Sequence, residues 1–160
     1  MKIARPDAGK WILRSLLWLM AFFQIYMITS FSSQTASVSA EESRSLLDVV
    51  VETIEDISHK RLGETMIDGL HRGIRKLAHF MIFFTLGFIL CMLTGEYVKN
   101  NTGRCFFISL MCGLFVAAGD EIHQLFVPGR SGELRDVCID FLGVLMGSKV
   151  LLFLKKVFKC

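Results

Sequence analysis

The chain has 160 residues, 52% of them apolar, with 14 Phe, 8 Met and a formal net charge of +3; its mean hydropathy is +0.50. A single domain of that size has no aqueous core large enough to hide so much apolar surface, which excludes an ordinary soluble protein and implies lipid contact. The modest charge and the scatter of the 18 Lys and Arg exclude a nucleic-acid binder, and five cysteines without C-x-x-C spacing read as small apolar residues rather than as disulfides or a zinc knuckle.

A helix that crosses the hydrocarbon layer needs about 20 mostly apolar residues. Four segments qualify: 15–31, 77–94, 105–127 and 137–154. The first follows Lys2, Arg5, Lys10 and Arg14, so a secretory signal cleaved after Ala40 is the alternative. Its apolar run exceeds an ordinary signal core, which favours a retained anchor. With the amino terminus inside, residues 1–14, 95–104 and 155–160 carry nine basic residues in 30 positions, against eight in 56 on the other side. The positive-inside rule then puts both termini in the cytoplasm of a multi-pass cell-membrane protein. The expected fold is all-α: one domain over 1–160, an integral membrane four-helix bundle.

Residues 32–76 form the long outer segment of this reading. Leu46, Val50, Ile54 and Ile57 recur at helical spacing among Asp48, Glu52, Glu55 and Asp56, which predicts an amphipathic extracytoplasmic helix capped by Ser43 or Ser45. A second stretch sets Met66, Leu70, Ile74 and Leu77 on one face before the second span. Both are expected on the membrane surface or over the bundle.

The third span carries the most information. Residues 105–119 alone make about 22 Å of helix at ~1.5 Å per residue, too little for a hydrocarbon core of about 30 Å. The helix must therefore continue through Asp120-Glu121-Ile122-His123-Gln124 to Leu125-Phe126-Val127, ending near Pro128. Carboxylates there are costly at membrane depth and should face the bundle interior, a wet cavity or a cation. Helical spacing gathers Asp120, Glu121, His123 and Gln124 on one arc. Asp136 and Asp140 repeat the pattern at the outer end of the fourth span, followed by Gly143 and Gly147, a small-residue face for close helix contact. Arg75, Lys76 and His79 open the second span from the same side. Arg130 lies in the turn after Pro128, where a carboxylate of Asp120, Glu121 or Asp140 is its expected partner and a phosphate the alternative.

The run Arg75-Lys76-Leu77-Ala78-His79-Phe80, then residues 119–130, then Asp136, Asp140 and Gly143 resemble the VanZ-like family of small bacterial membrane proteins. The family's pattern is K-x-x-H-F, then D-E-x-x-Q-x-F-x-P-x-R, then D-x-x-x-[N/D]-x-x-G. Phe31-Ser32-Ser33-Gln34 and Glu42-Ser43 are similar to its segment after the first helix. The resemblance spans nearly the whole chain and implies a functional cluster of Lys76, His79, Asp120, Glu121, Gln124, Arg130, Asp136 and Asp140. Phe83 stands where many relatives have Tyr, and Asp140 where Asn is common. The founding member's link to resistance against the lipoglycopeptide teicoplanin comes with the resemblance alone.

The expected function is binding or modification, at the outer face, of a lipid-linked cell-wall precursor or a lipoglycopeptide, with membrane lipid as the standing partner. Lys76, Gln124, Arg130, Asp136 and Asp140 are the ligand-binding candidates. Asp120, Glu121 and His79 are the catalytic candidates should chemistry occur, although no nucleophile elbow, H-E-x-x-H or phosphate-binding glycine loop is present. A proton- or ion-coupled transporter acting as an oligomer is the alternative. His79, Asp120, His123 and Asp140 have the ligand types of zinc or manganese. Lys76 and Arg130, expected beside them, argue against a cation, so no metal and no cofactor is assigned.

Overall fold

In lipid every backbone N–H and C=O must find a partner within its own segment, so a long apolar run without an internal proline becomes a helix. Neither Pro6 nor Pro128 falls within a span. The computed structural model describes residues 8–34, 48–53, 56–57, 59, 63–98 and 101–158, and among them there is no strand. Four long helices organise them: α1 (Ala8–Ser32), α2 (Glu64–Tyr97), α3 (Thr102–Gln124) and α4 (Leu134–Val157). All four are long and apolar enough to cross a membrane, and the molecule is a multi-pass membrane protein.

The helices exceed the apolar runs because charged side chains at a span's edge extend toward water without interrupting the backbone ladder. The largest difference is in α2. Its 34 residues begin at Glu64, so the stretch that carries Met66, Leu70, Ile74 and Leu77 runs without a break into the second span. At ~1.5 Å per residue α2 is about 51 Å long, and some 20 Å of it stands beyond the hydrocarbon layer. The helix α3 starts at Thr102, where the Asn101 side chain accepts from the Arg104 amide at 2.9 Å. It ends at Gln124, short of 127. Its 23 residues reach the required length by extending at both ends. Residues 125–128 form turns, and Gly129 follows with φ of 79°, a backbone setting that favours glycine. Of the amphipathic helix expected near Leu46, residues 48–53 are helical. Leu46, Ile54, Glu55 and the caps Ser43 and Ser45 lie outside the described residues.

The α2 and α4 helices run parallel and meet along a seam of glycines. The Cα of Gly143 faces the Phe80 carbonyl, Gly147 faces the Phe84 carbonyl, and Gly87 faces the backbone of Val144. Without side chains there, the two backbones approach closely, and Ser148 Oγ donates to the Gly87 carbonyl at 3.0 Å. Gly113 of α3 receives the Val144 side chain. Ile28, Phe83, Leu86, Leu90, Ala117 and Val144 form the core around this seam, while Leu17 and Ala21 of α1 pack on Ile89 and Leu93 of α2. The outer faces keep Phe22, Phe23, Tyr26, Phe115 and Phe153 exposed, as suits side chains that meet lipid.

Polar contacts attach α1 to the bundle. Gln24 Nε2 donates to the Ile82 carbonyl at 2.9 Å and to Thr85 Oγ1 at 2.7 Å. Arg14 donates to the Glu96 carbonyl at 2.8 Å. These contacts put the start of α1 beside the end of α2. The end of α1, the start of α2, the end of α3 and the start of α4 therefore share the opposite end, which holds the candidate site.

Candidate functional site

The site is assembled from all four helices at one end of the bundle and from the turn between α3 and α4. The last turn of α3 supplies Asp120, Glu121 and Gln124, all buried, with Asp120 only 3% exposed. One helical turn brings the Gln124 amide over both acids: its Nε2 donates to Asp120 Oδ2 at 3.0 Å and to Glu121 Oε1 at 3.2 Å. Ser32, the final residue of α1, donates a second hydrogen bond to Asp120 Oδ2 at 2.8 Å. Glu121 Oε2 accepts from the Glu133 amide at 2.9 Å, which fixes the entry to α4. Gly132 makes this turn possible, because a Cβ there would sit 2.7 Å from the Glu121 carbonyl.

The parallel seam sets the first turns of α4 beside Lys76 and His79, well inside α2. Lys76 forms a close ion pair with Asp136 and lies 4.0 Å from Glu133. One turn deeper, His79 Nδ1 faces Asp140 Oδ1 at 3.8 Å, and Asp140 is 1% exposed. Asp120 reaches the same point from α3, so that donor atoms of His79, Asp120 and Asp140 all lie within 4.8 Å of one another. His123 is not among them; its Nε2 pairs with Ser33 Oγ at 3.0 Å.

Arg130 departs from expectation. Among the described residues its guanidinium bonds no carboxylate; Nε donates to the Gln34 carbonyl at 2.9 Å and Nη2 to the Phe31 carbonyl at 3.2 Å. The last carbonyls of a helix lack intrahelical donors and sit at its negative end, so a cation is well placed there. Arg130 thus caps α1. Burial, followed by the charge of Arg75, lowers its pKa, while Asp120 and Glu121 oppose the shift; a guanidinium so placed remains charged at neutral pH.

Above these contacts a cleft of about 380 Å³ opens between the start of α2 and the α3–α4 turn. Arg72, Arg75, Lys76, Arg130 and Arg135 line it, with Glu133 and Asp136 as its acids and Gln124 at its base. A recess of about 10 Å³ adjoins it through Lys76, Gln124 and Asp136 and is walled by His79, Glu121 and Asp140. Lys76, Gln124, Arg130, Asp136 and Glu121 line one or both of these spaces, and His79, Asp120 and Asp140 form the triad, whereas His123 belongs to neither.

The sequence profile of the family described as VanZ/LLP1 matches residues 16–155. The chain belongs to the VanZ/LLP1 family. Neither a curated protein nor a solved structure matches it. The matched region of this VanZ/LLP1 protein contains all four helices' central turns and every residue of the triad and cleft. Ser32, Arg72, Arg135 and Glu133 were not singled out by spacing. A signal existed for Ser32 alone, in the Phe31-Ser32-Ser33-Gln34 segment; the other three sit among charges that look like ordinary helix-end residues.

Proposed function

We propose that this VanZ/LLP1 protein binds the anionic headgroup of a lipid-linked cell-envelope molecule at the outer face of the cell membrane. The observation that carries the reading is the cleft: five cationic side chains and two carboxylates around about 380 Å³ at one end of the helix bundle. Guanidinium groups fork onto phosphate oxygens, and a volume of a few hundred Å³ suits a diphosphate or sugar headgroup whose tail remains in the bilayer. The distribution of Lys and Arg among the loops supports cytoplasmic termini and hence an outward-facing cleft. Lipid-linked cell-wall precursors have this chemistry, and holding or altering one would change the target of a lipoglycopeptide, which is the route to teicoplanin resistance. Should the protein modify its ligand, His79, Asp120 and Glu121 stand beside the cleft as proton-transfer groups.

The proposal is tested by reconstituting the protein in nanodiscs and titrating a labelled polyprenyl diphosphate against a zwitterionic lipid of equal chain length. Saturable binding of the diphosphate, weakened at least tenfold by Arg75→Ala, is expected. Equal retention of the two lipids would overturn the reading. Labelled teicoplanin, added to cells with and without the protein, separates direct capture of the drug from an effect on its target.

A further inference from the structure

We propose that His79, Asp120 and Asp140 form a binding site for a divalent transition-metal ion of the zinc or manganese class. The inference rests on these three side chains and does not depend on the headgroup reading.

Buried carboxylates in proteins are paired with cations, held by several hydrogen bonds, or coordinated to metals. Asp120 and Asp140 are 3% and 1% exposed, yet Asp120 Oδ1 and Asp140 Oδ2 are both sequestered from solvent and have no hydrogen-bond partner. The two donors to Asp120, Ser32 and Gln124, both use Oδ2. They orient the carboxylate while leaving its other oxygen bare, the arrangement by which outer partners aim a ligand at an ion. The 3.8 Å between His79 Nδ1 and Asp140 Oδ1 is too long for a hydrogen bond. It is near the separation of two donors that share one ion, since metal–ligand distances of roughly 2.0–2.2 Å put tetrahedral neighbours roughly 3.3–3.6 Å apart. Three donors within 4.8 Å of one another need to draw together by little more than about an ångström to share one ion.

Charge and space agree with this assignment. Two carboxylates and a neutral imidazole carry two negative charges, which a divalent ion balances. Lys76 and Arg130, whose charge weighed against a metal in the sequence, are committed elsewhere: Lys76 to Asp136 and Glu133, Arg130 to the end of α1. The adjoining recess of about 10 Å³, walled by His79 and Asp140 though not by Asp120, is the size of one water or one ion. Three protein ligands leave a coordination position open. The recess shares Lys76, Gln124 and Asp136 with the basic cleft and so lies beside it.

The test uses the full chain in detergent, stripped with a chelator and titrated calorimetrically with ZnCl₂ and with MnCl₂. One ion per chain is expected for at least one of the two metals. Asp140→Asn and His79→Gln should each weaken binding at least tenfold, whereas His123→Gln should leave it unchanged. Thermal unfolding provides the second readout: the metal should raise the Tm of the wild type and of His123→Gln but not that of Asp140→Asn. Absence of saturable uptake of either ion would overturn the proposal. So would binding that survives both ligand substitutions, or that is lost equally in His123→Gln, because the ion would then sit elsewhere.

Discussion

Replacing a seam glycine by alanine should separate α2 from α4, and the size of the effect can be worked out from the contact. A Cβ at Gly143 would lie 2.6 Å from the Phe80 carbonyl oxygen and 3.1 Å from the Phe84 amide. Ordinary contact begins near 3.4 Å, so backbone has to yield by about 0.8 Å at the first point. At Gly147 the approach to the Phe84 carbonyl is closer still. Neither obstacle is a flexible side chain. Overpacking of this kind costs about 1–3 kcal/mol, and separating the helices also strains the Ser148–Gly87 hydrogen bond, worth ~1 kcal/mol. The gain in helix propensity from Gly to Ala returns at most ~1 kcal/mol. The expected net loss is about 1–2 kcal/mol for Gly143→Ala and about 2–3 kcal/mol for Gly147→Ala. For a chain of this size that is a Tm decrease of roughly 3–10 °C. Gly119 is the control, since a Cβ there meets nothing within 4 Å; Gly119→Ala should be neutral or slightly stabilising. Thermal unfolding in one detergent, followed by loss of monodisperse protein, measures all three. If Gly147→Ala proves as stable as Gly119→Ala, the close seam is not what holds α2 against α4. The seam also sets the register that pairs Lys76 with Asp136 and His79 with Asp140, so both seam variants should lose binding along with stability.

Ser32→Ala removes one of the two donors to the buried Asp120 carboxylate, and a destabilisation of about 1–2 kcal/mol is expected in the same unfolding assay. Gly129→Ala forces a side chain into a positive-φ turn and should cost about 1 kcal/mol, visible as a lower Tm without loss of membrane insertion. Binding of a polyprenyl diphosphate should weaken as salt rises from about 0.05 to about 0.5 M, because screening shortens the reach of the cleft's five cations; a salt-independent affinity would place the ligand elsewhere. Arg130→Ala and Asp120→Asn should each abolish any glycopeptide phenotype at normal protein levels, measured as teicoplanin susceptibility, and unchanged susceptibility in both would reject the cleft and the adjoining triad as its source.

The four-helix architecture was legible because lipid leaves the backbone one solution, and four apolar runs then mean four helices. Spacing within one helix was equally readable. Asp120 and Gln124 are four residues apart and are hydrogen-bonded, and Gly143 and Gly147 lie together on the face of α4 that meets α2. Helix limits were less so, since hydropathy marks where lipid contact begins and a backbone ladder continues past it, as α2 does from Glu64.

Contacts between helices were decided by packing. Ser32 and Asp120 are 88 residues apart, and no periodicity links the end of α1 to the end of α3. Arg130 had carboxylates close by in sequence, but the fold brought it the bare carbonyls at the end of α1, whose negative pole suits a guanidinium. His123 shares its arc with Asp120, yet the small rotation between them sends it to Ser33 and leaves Asp120 with His79 and Asp140. Composition and periodicity settle that this chain lies in a membrane as helices, with the acids of the third and fourth spans at one end. Which of those groups share a charge depends on distances of a few ångströms between separate helices, and those are set only when the helices dock.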